Sequence, residues 1–184
     1  MRPIAERLRA APPSGTGGSA ARPLVSAGDV GLLLLRLTFG LFMAGHGAQK
    51  LFGIFGGHGL AVTGKAFAAL GYHPGEVFAG VCGATEFLGG LGLALGLFTP
   101  LAAAGLIGVM INAMVTVTAA HGTWETSGGV EYNVSIAVVA LALAAIGPGR
   151  LALDHPFRWG QGGWLAAAFA LLLGGVGAAI VLSL

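Results

Sequence analysis

Glu86 is the single acidic or basic side chain in residues 77–120 of this 184-residue chain, and the stretch around it is apolar enough to cross a membrane. A charge at the centre of a spanning helix costs roughly +2.5 to +3.5 kcal/mol on insertion scales, so such a group marks a partner, a pathway or a site. A carboxyl in that setting binds a polar headgroup, relays a proton, or holds helices in register as an ion pair or hydrogen-bonded acid. The first two roles predict that Glu86→Gln assembles normally and loses activity. The third predicts loss of the folded protein.

Other polar groups can be placed around it. At 100° per residue, Arg36, Gly40, Met43, Gly47 and Lys50 form one stripe with His46 at its flank, and Ala79, Gly83, Glu86, Gly90 and Leu93 form another. The small residues beside Glu86 would let a second helix close over it. A rise of ~1.5 Å per residue puts Arg36 in the inner half of the membrane, Glu86 and Asn112 near its middle, and His46, Lys50, His121 and Glu131 toward its outer half. The candidate ligand-binding residues are therefore Glu86, Arg36, Asn112, His46, Lys50, His121 and Glu131. Arg36 is within reach of the inner interface, and snorkelling there is preferred over pairing with Glu86. His46, His121 and Glu131 offer two imidazoles and a carboxylate, but no HxxxH, HxxE or ExxH pair lies on one helix, so no metal or haem site is expected. Asn112, Tyr132, Asn133 and Ser135 serve by default as hydrogen-bonding glue between helices. Their convergence with His46 and Glu131 is what would make a small-molecule pocket. The Gly-Gly-His-Gly run at 56–59 is a weak phosphate signal, because neither a strand nor a Lys-Ser/Thr pair accompanies it.

Composition defines the elements that must position these groups. Hydrophobic residues make up 55% of the chain and charged ones 9%, and the apolar runs recur along its length, which fits an all-α, polytopic integral-membrane protein in contact with lipid and leaves no room for a sizeable soluble domain. The 34 glycines fall mostly inside the apolar runs, where they read as helix-packing surface. A net charge of +2, with no basic patch interleaved with aromatics, argues against nucleic acid. The sole cysteine, Cys82, sits in an apolar run and reads as a small buried hydrophobe, with no disulfide framework or CxxC pair.

Residues 1–28 read as a disordered basic cytoplasmic tail rather than a cleavable secretion signal. Spanning helices are expected at 30–52, with Asp29 as N-cap; at 74–98, with Pro74 at the first helical position; at 99–120, after the Thr99-Pro100 break; and, shorter, at 131–146. Residues 164–184 are long enough for a fifth span, or pack as an oligomer contact. A short helix at 61–70, stopped by Gly71, would lie on the membrane surface. Placing the N-terminus inside puts Arg2, Arg7, Arg9, Arg22, Arg150 and Arg158 in the cytoplasm and leaves only Lys50 and Lys65 outside.

Six segments stand out together: Arg-Leu-Thr-Phe-Gly at 36–40, Gly-Ala-Gln-Lys-Leu-Phe-Gly at 47–53, Gly-Ala-Thr-Glu-Phe-Leu-Gly-Gly at 83–90, Gly-Leu-Phe-Thr-Pro at 96–100, Gly-Val-Glu-Tyr-Asn at 129–133 and Gly-Pro-Gly-Arg-Leu-Ala-Leu-Asp at 147–154. In this combination the chain resembles the DoxX family of small bacterial membrane proteins. The resemblance covers roughly residues 30–155 and is specific in combination. It implies a four-helix transmembrane bundle in the bacterial plasma membrane, and a link to redox physiology. Relatives are named for subunits of a thiosulfate:quinone oxidoreductase, and some are associated with oxidative-stress and sulfur-handling partners. The long basic tail and the fifth helix depart from the shortest family pattern.

The expected organisation is thus a tail at 1–28, a DoxX-like bundle at 29–155 and an additional C-terminal helix at 156–184. The leading functional expectation is a redox-associated membrane protein whose central polar pocket binds a quinone-like or other amphiphilic small molecule. No cofactor is evident; a quinone would be substrate or ligand, and a partner would have to carry the electrons. The alternative is a non-enzymatic scaffold for soluble redox or sulfur-handling enzymes, with homo-oligomerisation left open. A small transporter fits less well, because no paired broken helices are visible.

Overall fold

A computed structural model describes residues 25–184, so the expected tail lies outside the described residues except for its last four. The described residues are helical, without strands. The six α-helices are α1 (Ala27–Phe52), α2 (Gly59–Ala69), α3 (Gly75–Leu95), α4 (Thr99–Ala113), α5 (Glu131–Ile146) and α6 (Trp164–Leu182). Four are long and apolar enough to cross a membrane: α1, α3, α6, and α4 together with the turns that extend it to His121. With its 16 residues, α5 spans about 24 Å.

Local chemistry corrects several expected boundaries. Ser26, not Asp29, is the N-cap of α1: the Ser26 hydroxyl accepts from the Asp29 N–H at 3.1 Å, and the Asp29 carboxylate accepts from the Ser26 N–H at 2.9 Å. This is a capping box with an aspartate in the third position, which satisfies two otherwise orphaned donors. Pro74 precedes α3 as its N-cap rather than beginning the helix, and α3 stops at Leu95 because Gly96 turns left-handed (φ 63°) and the Leu97 N–H returns to the Gly92 carbonyl at 2.8 Å. Beyond Ala113 the third span widens into a π-turn at Met114–Thr118 and then tightens into a 3₁₀ turn at Ala119–His121. The short helix lies two residues earlier than expected, at Gly59–Ala69, and packs on α3.

Glycine sets the closest packing. The expected stripes are the buried faces: Arg36, Gly40, Met43 and Gly47 on α1 against Ala79, Gly83, Glu86, Gly90 and Leu93 on α3. A Cβ on Gly40 would lie 2.6 Å from the Ala94 nitrogen and the Gly90 oxygen, and one on Gly90 would lie 2.5 Å from the Gly40 oxygen. The two backbones therefore touch, with Gly40 level with Gly90 and Gly47 level with Gly83, which makes α1 and α3 antiparallel. On the other side of the bundle α4 packs against α5 and α6, with Leu93, Leu106, Ile136, Leu143 and Ala170 in the shared core. The C-terminal helix is part of this packing: a Cβ on Gly174 would lie 2.6 Å from the Ala104 carbonyl oxygen.

The chain after α5 folds across the end of the bundle where α1 begins. The Arg150 N–H donates to Asp29 at 2.9 Å, and the Asp154 N–H to the Gly96 carbonyl at 2.8 Å. Asp154, fully buried, accepts from the Phe98 and Thr99 N–H groups at 2.9 and 2.7 Å, from the Thr99 hydroxyl at 2.8 Å and from the Trp159 indole at 2.9 Å. A carboxylate is thereby supplied from a distant segment to the positive end of α4, and it holds Phe98 in the left-handed region (φ 47°) that a non-glycine residue avoids.

Candidate functional site

Glu86 is not alone in the folded protein. Its side chain is 5% exposed, and Oε2 accepts from Lys50 Nζ at 2.5 Å. The pairing follows from helix direction. Side chains tilt toward the N-terminus of their own helix, and α1 and α3 are antiparallel, so Lys50 leans from the α2 end of the bundle toward its middle while Glu86 leans the other way. Gly83, one turn before Glu86, leaves the gap through which the Lys50 stem passes: a Cβ there would lie 3.2 Å from Lys50 Cβ. On the same side, the Cys82 thiol donates to Glu86 Oε1 at 3.7 Å.

The pair lines a cavity of about 610 Å³ bounded by α3, α4, α6 and the α2–α3 connection. Its walls are mainly apolar, and several of them, including Val77, Val81, Leu101 and Leu173, are exposed on the outer surface of the bundle. The opening therefore lies among exposed apolar side chains. Polar groups are few: Lys50, Glu86, Cys82 and Thr85 at one level, and Tyr72, Asn112 and Thr116 at another. A large apolar hollow with a few convergent polar groups is the form taken by small-molecule sites.

The seven candidate residues do not all meet here. Glu86, Lys50 and Asn112 line the cavity. Arg36 neither snorkels nor reaches Glu86: it is fully buried, donates to the Leu151 carbonyl at 2.6 Å, and packs against Gly96, where a Cβ would overlap its guanidinium. It belongs to the closure at the opposite end of the bundle. His46 faces α5, its ring edge-on to Tyr132 with centroids 5.7 Å apart, and lines a separate shallow hollow of about 340 Å³ with Phe42, Gln49 and Phe55. His121 bonds to the Val117 carbonyl at 3.0 Å, and Glu131 accepts from the Glu125 N–H at 3.0 Å; both are exposed loop-end contacts. The outer polar grouping read from sequence thus splits into local contacts, and among the described residues no three His, Cys, Asp or Glu side chains gather as metal ligands.

Tyr72 was not singled out by its sequence context. It lies in the short connection between α2 and α3, its ring rests between Phe67 and Phe78 at 5.6 and 5.2 Å, and its hydroxyl meets Asn112 Oδ1 at 3.2 Å. The usable signal was position: an aromatic with a polar tip between a short helix and a long apolar one has one apolar and one polar environment to satisfy. Cys82, read as a buried hydrophobe, is half-buried in the cavity wall beside Glu86.

The family model described as DoxX matches residues 31–119, the segment holding Lys50, Tyr72, Cys82, Glu86 and Asn112. No curated protein and no solved structure matches the chain.

Proposed function

The chain belongs to the DoxX family, and from that premise we propose that it binds a quinone-like or comparable amphiphile from the lipid phase in the cavity beside Lys50 and Glu86. The observation that carries this reading is the position of the Lys50–Glu86 pair, buried at the wall of an apolar cavity that opens on the lipid-facing surface. The Lys50 ammonium would donate to a headgroup oxygen, and the Glu86 carboxylate would accept from a headgroup hydroxyl and hand on its proton. The tail would lie along the apolar walls. Electron transfer would fall to a partner, with this chain acting as the membrane subunit of an oxidoreductase system in the bacterial plasma membrane, its N-terminus cytoplasmic.

Purified protein in lipid nanodiscs, titrated with decylubiquinol kept reduced, tests the reading. Saturable binding weakened at least tenfold in Glu86→Gln, with helicity unchanged by circular dichroism, supports it. Absence of saturable binding to either protein contradicts it.

A second reading, a non-enzymatic scaffold for soluble redox or sulfur-handling enzymes, is favoured by the segment that closes the bundle. There, Asp154 and Arg36 pin a loop whose stacked Phe157 and Trp159 rings, 4.5 Å apart, remain partly exposed beside Arg158. Capture of such enzymes that survives Glu86→Gln and is lost on replacing Phe157 and Arg158 would favour the scaffold.

A further inference from the structure

The cavity has a second polar level, formed by Tyr72 and Asn112, which the Lys50–Glu86 reading leaves unused. Resting on that reading, we infer that Tyr72 and Asn112 form a second contact point that selects an amphiphile whose ring carries hydrogen-bonding oxygens on two opposite edges.

The spacing comes from helix register. A Cβ on Gly105 would lie 2.9 Å from Thr85 Cγ2, so Gly105 of α4 is level with Thr85 and Glu86 of α3. Asn112 is seven residues further along α4, about 10 Å at ~1.5 Å per residue. Side-chain tilt shortens this distance. Asn112 leans back toward the start of α4, where its amide donates to the Gly108 carbonyl at 3.1 Å, and Glu86 leans toward the start of α3, where it accepts from Cys82. Since α3 and α4 run in opposite directions, joined by the tight turn at 96–98, the two polar ends approach each other across the cavity. An axial offset of about 10 Å, shortened from both ends, is on the scale of a single ring rather than of an extended chain.

The Tyr72–Asn112 contact is suited to exchange. At 3.2 Å it is long for a hydroxyl donor, whose bonds centre near 2.7–2.8 Å, so a ligand oxygen can replace it at little loss. Tyr72 is held by Phe67 and Phe78 whether or not its hydroxyl bonds to Asn112, so the hydroxyl stays aimed at the cavity when its partner changes. Asn112 also sits directly before the π-turn at Met114–Thr118, and its own carbonyl accepts from Thr116 at 2.9 Å. Widened turns of this kind are frequent at functional sites, because they re-aim side chains without breaking the helix. A ligand with one oxygen would satisfy the Lys50–Glu86 level and leave Tyr72 bonded to Asn112. A ligand with two would engage both levels, and a site built for a hydroxyl penalises a ligand that lacks it.

The test uses two probes that differ by one hydroxyl: decylhydroquinone, kept reduced, and decylphenol. Binding to full-length protein in nanodiscs is measured for wild type, Tyr72→Phe, Asn112→Leu and Glu86→Gln. Wild type should bind decylhydroquinone about tenfold more tightly than decylphenol. Tyr72→Phe and Asn112→Leu should each weaken decylhydroquinone binding several-fold more than decylphenol binding and so erase most of that preference, and Glu86→Gln should weaken both probes. Equal affinity of wild type for the two probes overturns the inference, as does an equal loss for both in Tyr72→Phe. If decylphenol binds in a Glu86-dependent manner and Tyr72→Phe changes nothing, the site stands and the second contact falls. If neither probe binds wild type, the reading of the cavity itself fails and this inference with it.

Discussion

At the scale of single residues, the energetics centre on one ion pair. Removing one member of a buried pair leaves an uncompensated charge, at a cost of about 3–5 kcal/mol when burial is complete, whereas replacing both members by apolar groups is close to neutral. Lys50 keeps 25% side-chain exposure, so the lower part of that range applies. Lys50→Met should therefore lower the thermal midpoint in detergent more than the double variant Lys50→Met/Glu86→Leu does. A single variant as stable as the double would show that the pair contributes nothing. Glu86 was legible in the sequence because an isolated charge in an apolar run is conspicuous, but its partner was not. Depth estimated from Cα positions put Lys50 near one interface and Glu86 at mid-membrane, and only the opposed tilt of side chains on antiparallel helices brings the ends together. Arg36 shows the converse. Snorkelling was expected of it, but its partner is a backbone carbonyl 115 residues away, in a loop with no periodic signal to mark its course.

At the scale of elements, α1 and α3 are held by backbone contact at glycines, and this makes a sharp contrast between positions. Gly40→Val should destabilise by about 1–3 kcal/mol or prevent assembly, because the added atoms meet the backbone of α3. Gly45→Ala, where no heavy atom lies within 4 Å of the added carbon, should leave the unfolding midpoint unchanged. Equal behaviour of the two in thermal unfolding would contradict the packing account. Asp154 provides a second test. Asp154→Ala frees the start of α4 and the left-handed Phe98, and loss of hydrogen bonds to a buried charged group should cost about 1.5–3 kcal/mol, read as a lowered midpoint, with Asp154→Asn intermediate. The helical stripes of α1 and α3 could be read from residue spacing because one small-residue face repeats along each. The π-turn of α4 could not, since Met-Val-Thr-Val-Thr has no breaker and the widening depends on contacts such as Thr118 to Asn133 at 2.9 Å.

For the whole molecule, the helices were legible because membrane-length apolar runs end at Gly and Pro, whereas the cavity was not, because it arises between α3, α4, α6 and the α2–α3 connection and belongs to no single segment. The alternating course of the helices puts α2 and the loop at 122–130 at one end of the bundle, and the segment at 147–163 with the start of α1 at the other. The excess of Arg beside the second group predicts that it is cytoplasmic. In a Cys82→Ala background, single cysteines at Gly56 and Thr126 should react with a membrane-impermeant maleimide in intact cells, and one at His155 should react only after lysis; the reverse pattern would invert the topology. The central claim, that the Lys50–Glu86 cavity receives an amphiphile from the lipid, is tested most directly by covalent mapping with a photoreactive hydroquinone carrying a decyl tail, kept reduced. Irradiation in nanodiscs should place adducts on cavity-lining residues of α3 and α4, among them Cys82, Thr85 and Gly105, and these should be lost to competition by decylubiquinol and in Glu86→Gln. Adducts spread over the lipid-facing residues of every helix, insensitive to competitor and to Glu86, would contradict it.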